Sequence, residues 1–193
     1  MMRIITGKAR GVRLAAPQGD LTRPTSERAK EAVFSMLQFE ISGAEVLDLF
    51  AGSGQMGLES LSRGASRAVF CDRDASAISV IRSNSLKTKL APQCEIYASD
   101  YTALLKRFQK KRTFDLVFLD PPYALGAIPR ALRQLREYGL LRDGAKIVCE
   151  SADTKDVFGE DASLQDCFES LRVSHYGIAF VTVLQYHAEE VAK

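Results

Sequence analysis

The sequence feature that most restricts the fold is an alternation of short apolar runs with helical segments through the middle of the chain. The apolar runs are strand candidates, and each of the first four is followed by a helical pattern. Strands and helices that alternate in this way predict a parallel sheet with both faces covered by helices. The strand candidates span residues 46–50, 68–71, 95–98, 116–119 and 146–149.

The last part of the chain does not follow this alternation. Two β-rich runs, 171–176 and 180–186, are joined by a few residues around Gly177. A connection this short predicts an antiparallel hairpin. The two patterns together predict an α/β fold of the Rossmann-like class I methyltransferase type. Its sheet is mostly parallel and seven-stranded, with the antiparallel hairpin at the C-terminal end.

A basic segment precedes the sheet. Residues 1–30 carry seven Lys or Arg and two acids, a charge of +5, so the rest of a chain whose total is +2 holds about −3. Clustered positive charge suits a polyanion such as nucleic acid, because phosphate neutralisation contributes affinity independently of base sequence. A solvated basic tail explains the same charge, and charge alone leaves both interpretations open.

Residues 2–16 predict a small hairpin whose glycine-flanked turn contains Lys8 and Arg10. A helix is predicted from Pro24, because apolar residues then recur at helical spacing. We therefore divide the chain into a basic N-terminal hairpin extension, residues 1–22, and one catalytic domain, residues 23–193.

Several classes of protein are not favoured. No apolar run is long enough for a membrane span or an N-terminal signal peptide, so we expect a cytoplasmic protein with no membrane contact. We also expect it to be a monomer. The cysteines form no CxxC pair, which argues against a zinc site and a disulfide framework and predicts buried, reduced thiols. The histidines lie in the terminal hairpin and are expected on the surface. These residues are Cys71, Cys94, Cys149, Cys167, His175 and His187.

A glycine-rich turn follows the first strand of the predicted sheet. Its sequence, Asp-Leu-Phe-Ala-Gly-Ser-Gly at 48–54, lets the backbone pass close to a ligand. With Gly57, its glycines also match the dinucleotide pattern GxGxxG, so a nicotinamide cofactor has to be considered. Asp48 favours S-adenosylmethionine instead, because a carboxylate in the turn can meet an ammonium group and no second phosphate-binding arrangement is present.

Two further carboxylates follow the next strands. Asp72 ends the second strand, where such folds bind ribose hydroxyls, and Asp100 follows the third, where it can accept from an adenine amino group. Each is also compatible with a helix N-cap. The cofactor-binding residues predicted from this edge of the sheet are Asp48, Phe50, Ala51, Gly52, Gly54, Asp72, Arg73, Asp100 and Tyr101.

The fourth strand is followed by Asp120, Pro121, Pro122 and Tyr123, the predicted catalytic residues. An exocyclic base amine is a poor nucleophile, because its lone pair is delocalised into the ring. The Asp120 carboxylate and the Pro121 carbonyl can accept its two N–H groups and direct the lone pair toward a methyl donor. The prolines restrict the loop, and Tyr123 offers a face for stacking of a withdrawn base. A tight turn without chemistry is the alternative.

The chain resembles the RsmD family, bacterial enzymes that methylate guanine N2 in small-subunit ribosomal RNA. The resemblance implies a 16S rRNA substrate, free or in an assembled or assembling subunit, S-adenosylmethionine as methyl donor and no metal. It also implies that Thr25 faces the cofactor and that Lys8, Arg10, Arg13 and Arg23 contact RNA. The segments that carry it are residues 3–8, 10–11, 22–28, 48–54, 57–59 and 120–123.

Other functions share parts of this pattern. A DNA adenine-N6 or cytosine-N4 methyltransferase needs the same Asp-Pro-Pro-Tyr chemistry, although such enzymes usually carry an added target-recognition region. A protein glutamine methyltransferase generally begins the motif with Asn. An NAD-dependent oxidoreductase fits the glycine pattern, and a noncatalytic RNA-binding protein fits the basic segment.

Overall fold

The computed structural model describes residues 2–17, 27–122 and 126–188. Within them, seven strands alternate with helices in the predicted order until the terminal hairpin. The strands are β1 (Glu45–Asp48), β2 (Arg67–Asp72), β3 (Cys94–Ala98), β4 (Phe114–Leu119), β5 (Leu141–Ser151), β6 (Phe168–Tyr176) and β7 (Ala179–Tyr186). The α-helices are α1 (Glu27–Met36), α2 (Gln55–Ser62), α3 (Ala75–Lys87), α4 (Tyr101–Phe108) and α5 (Ala127–Glu137). Short 3-10 helices occupy Ala91–Gln93, Thr154–Asp156 and Ala162–Leu164.

These strands form one sheet in the order β3-β2-β1-β4-β5-β7-β6. The first five strands in this order are parallel to one another, and β7 runs antiparallel to both β5 and β6. The predicted fold class is therefore confirmed. Strand β5 begins five residues earlier than the apolar pattern predicts, because Leu141 pairs with Phe114 before the register of this pair of strands shifts.

Successive side chains of the central strands pack on opposite faces of the sheet, and both faces are buried. Leu47 of β1 packs into a cluster with α4 and α5, and its neighbour Val46 packs into a cluster with α1, α2 and α3. Successive strand side chains point to opposite faces, so a covered parallel sheet needs apolar residues at every position. This explains why β1 and β2 appear in the sequence as continuous apolar runs.

The basic N-terminal segment forms a hairpin, which packs on the cluster that contains α1, α2 and α3. Arg3 and Arg13 form an antiparallel bridge, as the predicted hairpin requires. Ile4 and Leu14 beside them are buried against the helices that cover the sheet. The hairpin is therefore docked on the α/β domain and does not project from it.

The remaining expectations concern thiols, histidines and membrane contact. Cys71, Cys149 and Cys167 are buried and Cys94 is half-buried, all as free thiols. The histidines at positions 175 and 187 are exposed, as predicted. Among the described residues, no helix combines the length and apolar character needed to cross a membrane, and no group of three metal-binding side chains is found.

Candidate active site

The predicted carboxylates meet at one edge of the sheet. Asp48 and Asp72 end β1 and β2, while Asp100 and Asp120 lie just beyond β3 and β4. Because these four strands are adjacent and parallel, their carboxyl ends share the edge at which open α/β sheets bind ligands. Glu150, near the end of β5, adds a fifth carboxylate to the same edge.

The glycine turn after β1 has the backbone conformation that its composition predicts. Gly54 has φ of 76° and caps the start of α2, and Gly52 has φ of 52°. These left-handed conformations favour glycine, because a side chain would meet its own backbone. No heavy atom lies within 4 Å of where a Cβ on Gly52 would stand, so a ligand has room to approach the backbone there.

Gly57 serves packing. A Cβ added to it would lie 2.3 Å from a ring carbon of Phe70 on β2, so the helix can approach the sheet only without a side chain at this position. In the dinucleotide pattern the third glycine has this same packing role. The GxGxxG match therefore describes how α2 sits on the sheet and does not by itself indicate a phosphate ligand.

The Asp72 carboxylate connects the end of β2 to the turn. It accepts from the Gly52 N–H at 2.8 Å and from the Asp74 N–H at 2.9 Å. Helix α3 is capped by Asp74, which accepts from the Ser76 N–H, so the capping role considered for Asp72 belongs to its neighbour. Each Asp72 oxygen keeps a lone pair that can accept a hydrogen bond from a ribose hydroxyl. Arg73 beside it is exposed.

Asp48 is buried under the turn, with 4% of its surface exposed. Its carboxylate accepts from the Gly57 N–H at 3.2 Å. Burial raises its pKa from 3.8 to about 7, the hydrogen bond from Gly57 opposes this rise, and the charge of Asp72 adds to it. A buried carboxylate of this kind is stabilised by a cation, so the site suits the ammonium group of S-adenosylmethionine.

The edge next to β3 combines a helix cap with two aromatic rings. Asp100 accepts from the Thr102 side chain and N–H at the start of α4, and these bonds lower its pKa. The rings of Phe50 and Tyr101 lie 5.0 Å apart between the turn and this helix. The charge of Arg130 on α5 acts on both Asp100 and Tyr101. A flat ligand at this edge would meet aromatic surface and a free carboxylate lone pair.

Asp120, the residue after β4, is exposed to solvent, although protein atoms are packed closely around its carboxyl group. Desolvation raises its pKa well above 3.8, and the negative charges of Glu150 and then Asp48 raise it further. Pro121 is buried and Pro122 is exposed. An acceptor with a raised pKa at the carboxyl edge is the arrangement expected where a reaction develops positive charge. Tyr123 lies outside the described residues.

The predicted RNA contacts are only partly described. Lys8, Arg10 and Arg13 are exposed on the N-terminal hairpin, and within residues 2–17, 27–122 and 126–188 none of them has an ion pair. Arg23, like the predicted cofactor contact Thr25, lies outside these residues. The roles of both sets stay predictions.

Sequence reasoning missed three side chains near this edge. Glu150 had a usable signal, since it is a polar residue at the carboxyl end of an apolar strand. Arg130 lies on α5, and Asn84 lies on α3, where its side chain donates to the Ser53 carbonyl of the turn. Within a helix, the sequence offers no sign of what such a side chain contacts. A surface groove of about 730 Å³ between α5 and residues 158–161 is lined by Arg130 but by none of the predicted site residues.

Known proteins resemble this chain over most of its length. The family model described as Conserved hypothetical protein 95 matches residues 2–185. YlbH of Bacillus subtilis (strain 168) is 39% identical over 150 residues, 77% of this chain and 82% of the relative. The Ribosomal RNA small subunit methyltransferase D of Escherichia coli (strain K12) is 37% identical over 150 residues, 78% and 74% of the two chains. The solved structure of yhhF from Escherichia coli superposes with a TM-score of 0.84 at 31% identity, covering 97% of this chain and 99% of that one.

Proposed function

The chain belongs to the RsmD family of small-subunit rRNA methyltransferases, and we propose that it transfers a methyl group from S-adenosylmethionine to the exocyclic N2 of a guanine in 16S rRNA. The observation that carries this proposal is the position of Asp120 relative to the glycine turn. Asp48 pairs with Phe118 across the neighbouring strands β1 and β4. Asp120, two residues after Phe118 and just beyond the end of β4, therefore lies beside the turn.

The residues of the turn fit the methyl donor. Asp48 offers a buried carboxylate for its ammonium group, Asp72 offers acceptors for its ribose, and Gly52 leaves the backbone open to it. When bound there, S-adenosylmethionine supplies a reactive sulfonium methyl group. The enzyme then has to align the amine, because a methyl sulfonium needs no covalent activation by the protein.

Asp120 performs that alignment. Its carboxylate and the Pro121 carbonyl accept the two N–H groups of the guanine amine, so the lone pair turns toward the methyl group. The negative charge of Asp120 also stabilises the positive charge that develops on nitrogen. Desolvation raises its pKa, and the charges of Glu150 and Asp48 add to the rise. Asp120 therefore binds a proton more tightly than an ordinary carboxyl group and can take up the proton released by the amine.

The basic hairpin supports an RNA substrate. Lys8, Arg10 and Arg13 present three exposed positive charges on a segment that is docked on the catalytic domain. Phosphate contacts of this kind fix the orientation of a nucleic acid without reading its bases. In the proposed complex the shape of the folded RNA determines which guanine enters the site, and Tyr123 stacks on that base.

The proposal is tested by incubating the purified protein with labelled S-adenosylmethionine and, separately, with small ribosomal subunits, free 16S rRNA or duplex DNA. We expect label in ribosomal RNA as N2-methylguanine. Asp120→Asn should reduce kcat by a hundredfold or more, about 3 kcal/mol of transition-state stabilisation, with nearly unchanged binding of S-adenosylhomocysteine.

A matched control is Asp166→Asn, which removes an exposed carboxylate outside the carboxyl edge and should leave turnover unchanged. Label found in DNA alone would refute the RNA assignment. Unchanged turnover in Asp120→Asn would refute its role in aligning the amine.

A further inference from the structure

The carboxamide of Asn84, a fully buried side chain on α3, joins two segments that are far apart in the sequence. Its Nδ2 donates to the carbonyl of Ser53 at 2.9 Å and to the carbonyl of Ala15 at 3.0 Å. Its Oδ1 accepts from the Ala15 N–H at 2.9 Å. Both amide hydrogens are thereby used, which fixes the orientation of the group.

The segments that Asn84 joins are the glycine turn and the N-terminal hairpin. Ser53 lies between Gly52 and Gly54, which both have positive φ. A turn built from glycines has many alternative conformations, so its shape depends on hydrogen bonds to its backbone. The Asn84 side chain donates a hydrogen bond to the Ser53 carbonyl. The same side chain is hydrogen-bonded to the backbone of Ala15 at the end of the hairpin.

Other contacts hold the hairpin against the glycine turn and helix α2. The Ser53 hydroxyl donates to Met2 Sδ at 3.1 Å. The buried carboxylate of Glu59 on α2 accepts from the Ile5 N–H at 2.7 Å and from the Thr6 N–H at 3.0 Å. Helix α2 begins at the glycine turn, so the hairpin is bonded both to the turn and to the helix that follows it.

We propose that Asn84 is a positioning residue of the glycine turn, and that through it the N-terminal hairpin contributes to cofactor binding without touching the cofactor. This inference rests on the proposed function, since it takes the turn to be the site of S-adenosylmethionine. Without the Asn84 carboxamide, the Ser53 and Ala15 carbonyls and the Ala15 N–H lose a shared partner at a partly buried site. The turn then samples conformations that do not fit the ligand.

The experiment measures the affinity of Asn84→Ala for S-adenosylhomocysteine by calorimetry, with hydrogen exchange of the turn in the absence of ligand. We expect the Kd to rise about tenfold, equivalent to about 1.4 kcal/mol. Amide protection at Gly52 and Gly54 should fall more than protection in β1 or β4. In the transfer reaction, the KM for S-adenosylmethionine should rise while kcat at saturation is retained.

Two further variants keep the test decisive. Ser85→Ala is the matched control, because Ser85 is equally buried on α3 but its hydroxyl donates only within that helix, to the Arg82 carbonyl. It should bind the ligand as the wild type does. Met2→Leu removes the Ser53 contact with little change in volume, and it should raise the Kd about threefold even if Asn84→Ala fails to fold.

An unchanged Kd in folded Asn84→Ala and in Met2→Leu would overturn the inference. Equal effects of Asn84→Ala and Ser85→Ala would also overturn it, since they would indicate a general weakening of α3. A wild-type protein that binds no S-adenosylhomocysteine would refute the proposed function instead. The exchange measurement still tests the link between Asn84 and the turn in that case, because it needs no ligand.

Discussion

Lowering the pH from about 7 to about 5.5 is expected to weaken cofactor binding through protonation of Asp48. This carboxyl group is buried beneath the glycine turn, and its pKa is raised from 3.8 to about 7. The difference corresponds to about 4 kcal/mol of disfavoured ionisation. An ammonium group placed against the carboxylate favours the charged form, so binding the cofactor should release the proton.

The size of the effect follows from the two protonation equilibria. Because a bound cation favours the charged form, it lowers the pKa of Asp48 from about 7. With that pKa below the titrated range, the apparent affinity falls about tenfold between about pH 7 and about pH 5.5. The ligand ammonium stays charged in this range, because an α-amino group titrates at about 7.7 or above. At about pH 6 the ligand-free carboxyl is mostly protonated, so up to roughly 0.9 proton should be released for each ligand bound.

The assay is calorimetric titration with S-adenosylhomocysteine, which carries the same ammonium group, in two buffers with different ionisation enthalpies. Asp48→Asn should bind more weakly at neutral pH and lose both the pH dependence and the proton release. Asp166→Asn, which changes an exposed carboxylate, should keep both. A wild-type affinity that is constant over this pH range, with no dependence on buffer, would refute the pairing of Asp48 with a ligand cation.

The same pKa predicts how folding depends on pH without ligand. Between about pH 4 and about pH 7 the folded state binds more protons at Asp48 than the unfolded state does. The contribution of Asp48 to the free energy of unfolding therefore falls as the pH rises through this window. In Asp48→Asn this contribution disappears, and urea unfolding at several pH values measures the difference.

Three further predictions concern other parts of the molecule. Glu150→Gln should lower the pKa of Asp120 and move the acid limb of the kcat profile to lower pH, because it removes a neighbouring negative charge; a stationary limb would exclude that coupling. Arg10→Ala combined with Arg13→Ala should weaken RNA binding and reduce the slope of the log binding constant against log salt concentration by about one to two. An unaltered slope would show that the RNA-binding surface lies elsewhere. Gly57→Ala should destabilise the fold by about 1–3 kcal/mol by overpacking, because its methyl group would stand 2.3 Å from the β2 phenylalanine ring. Denaturant unfolding measures this, and a loss below the experimental error would contradict the packing.

Much of the fold could be predicted from local patterns. The apolar runs identified the central strands, because a strand buried on both faces needs apolar residues at every position. The short connection at Gly177 predicted the antiparallel hairpin. The extra residues at the start of β5 could not be foreseen, since they join the sheet through an irregular register with β4 that apolar periodicity does not report.

The sequence by itself determined the order of the elements and the positions of the carboxylates along the chain. Those features depend on local composition and on the rule that parallel strands bring their carboxyl ends to one edge. Only the tertiary structure decided the burial, the pKa and the hydrogen-bond partners of each side chain. The pKa of Asp48 depends on how deeply packing buries it, and the role of Asn84 depends on two segments that approach it from 69 and 31 residues away. Burial and long-range hydrogen bonds arise when distant segments meet, so no local pattern encodes them.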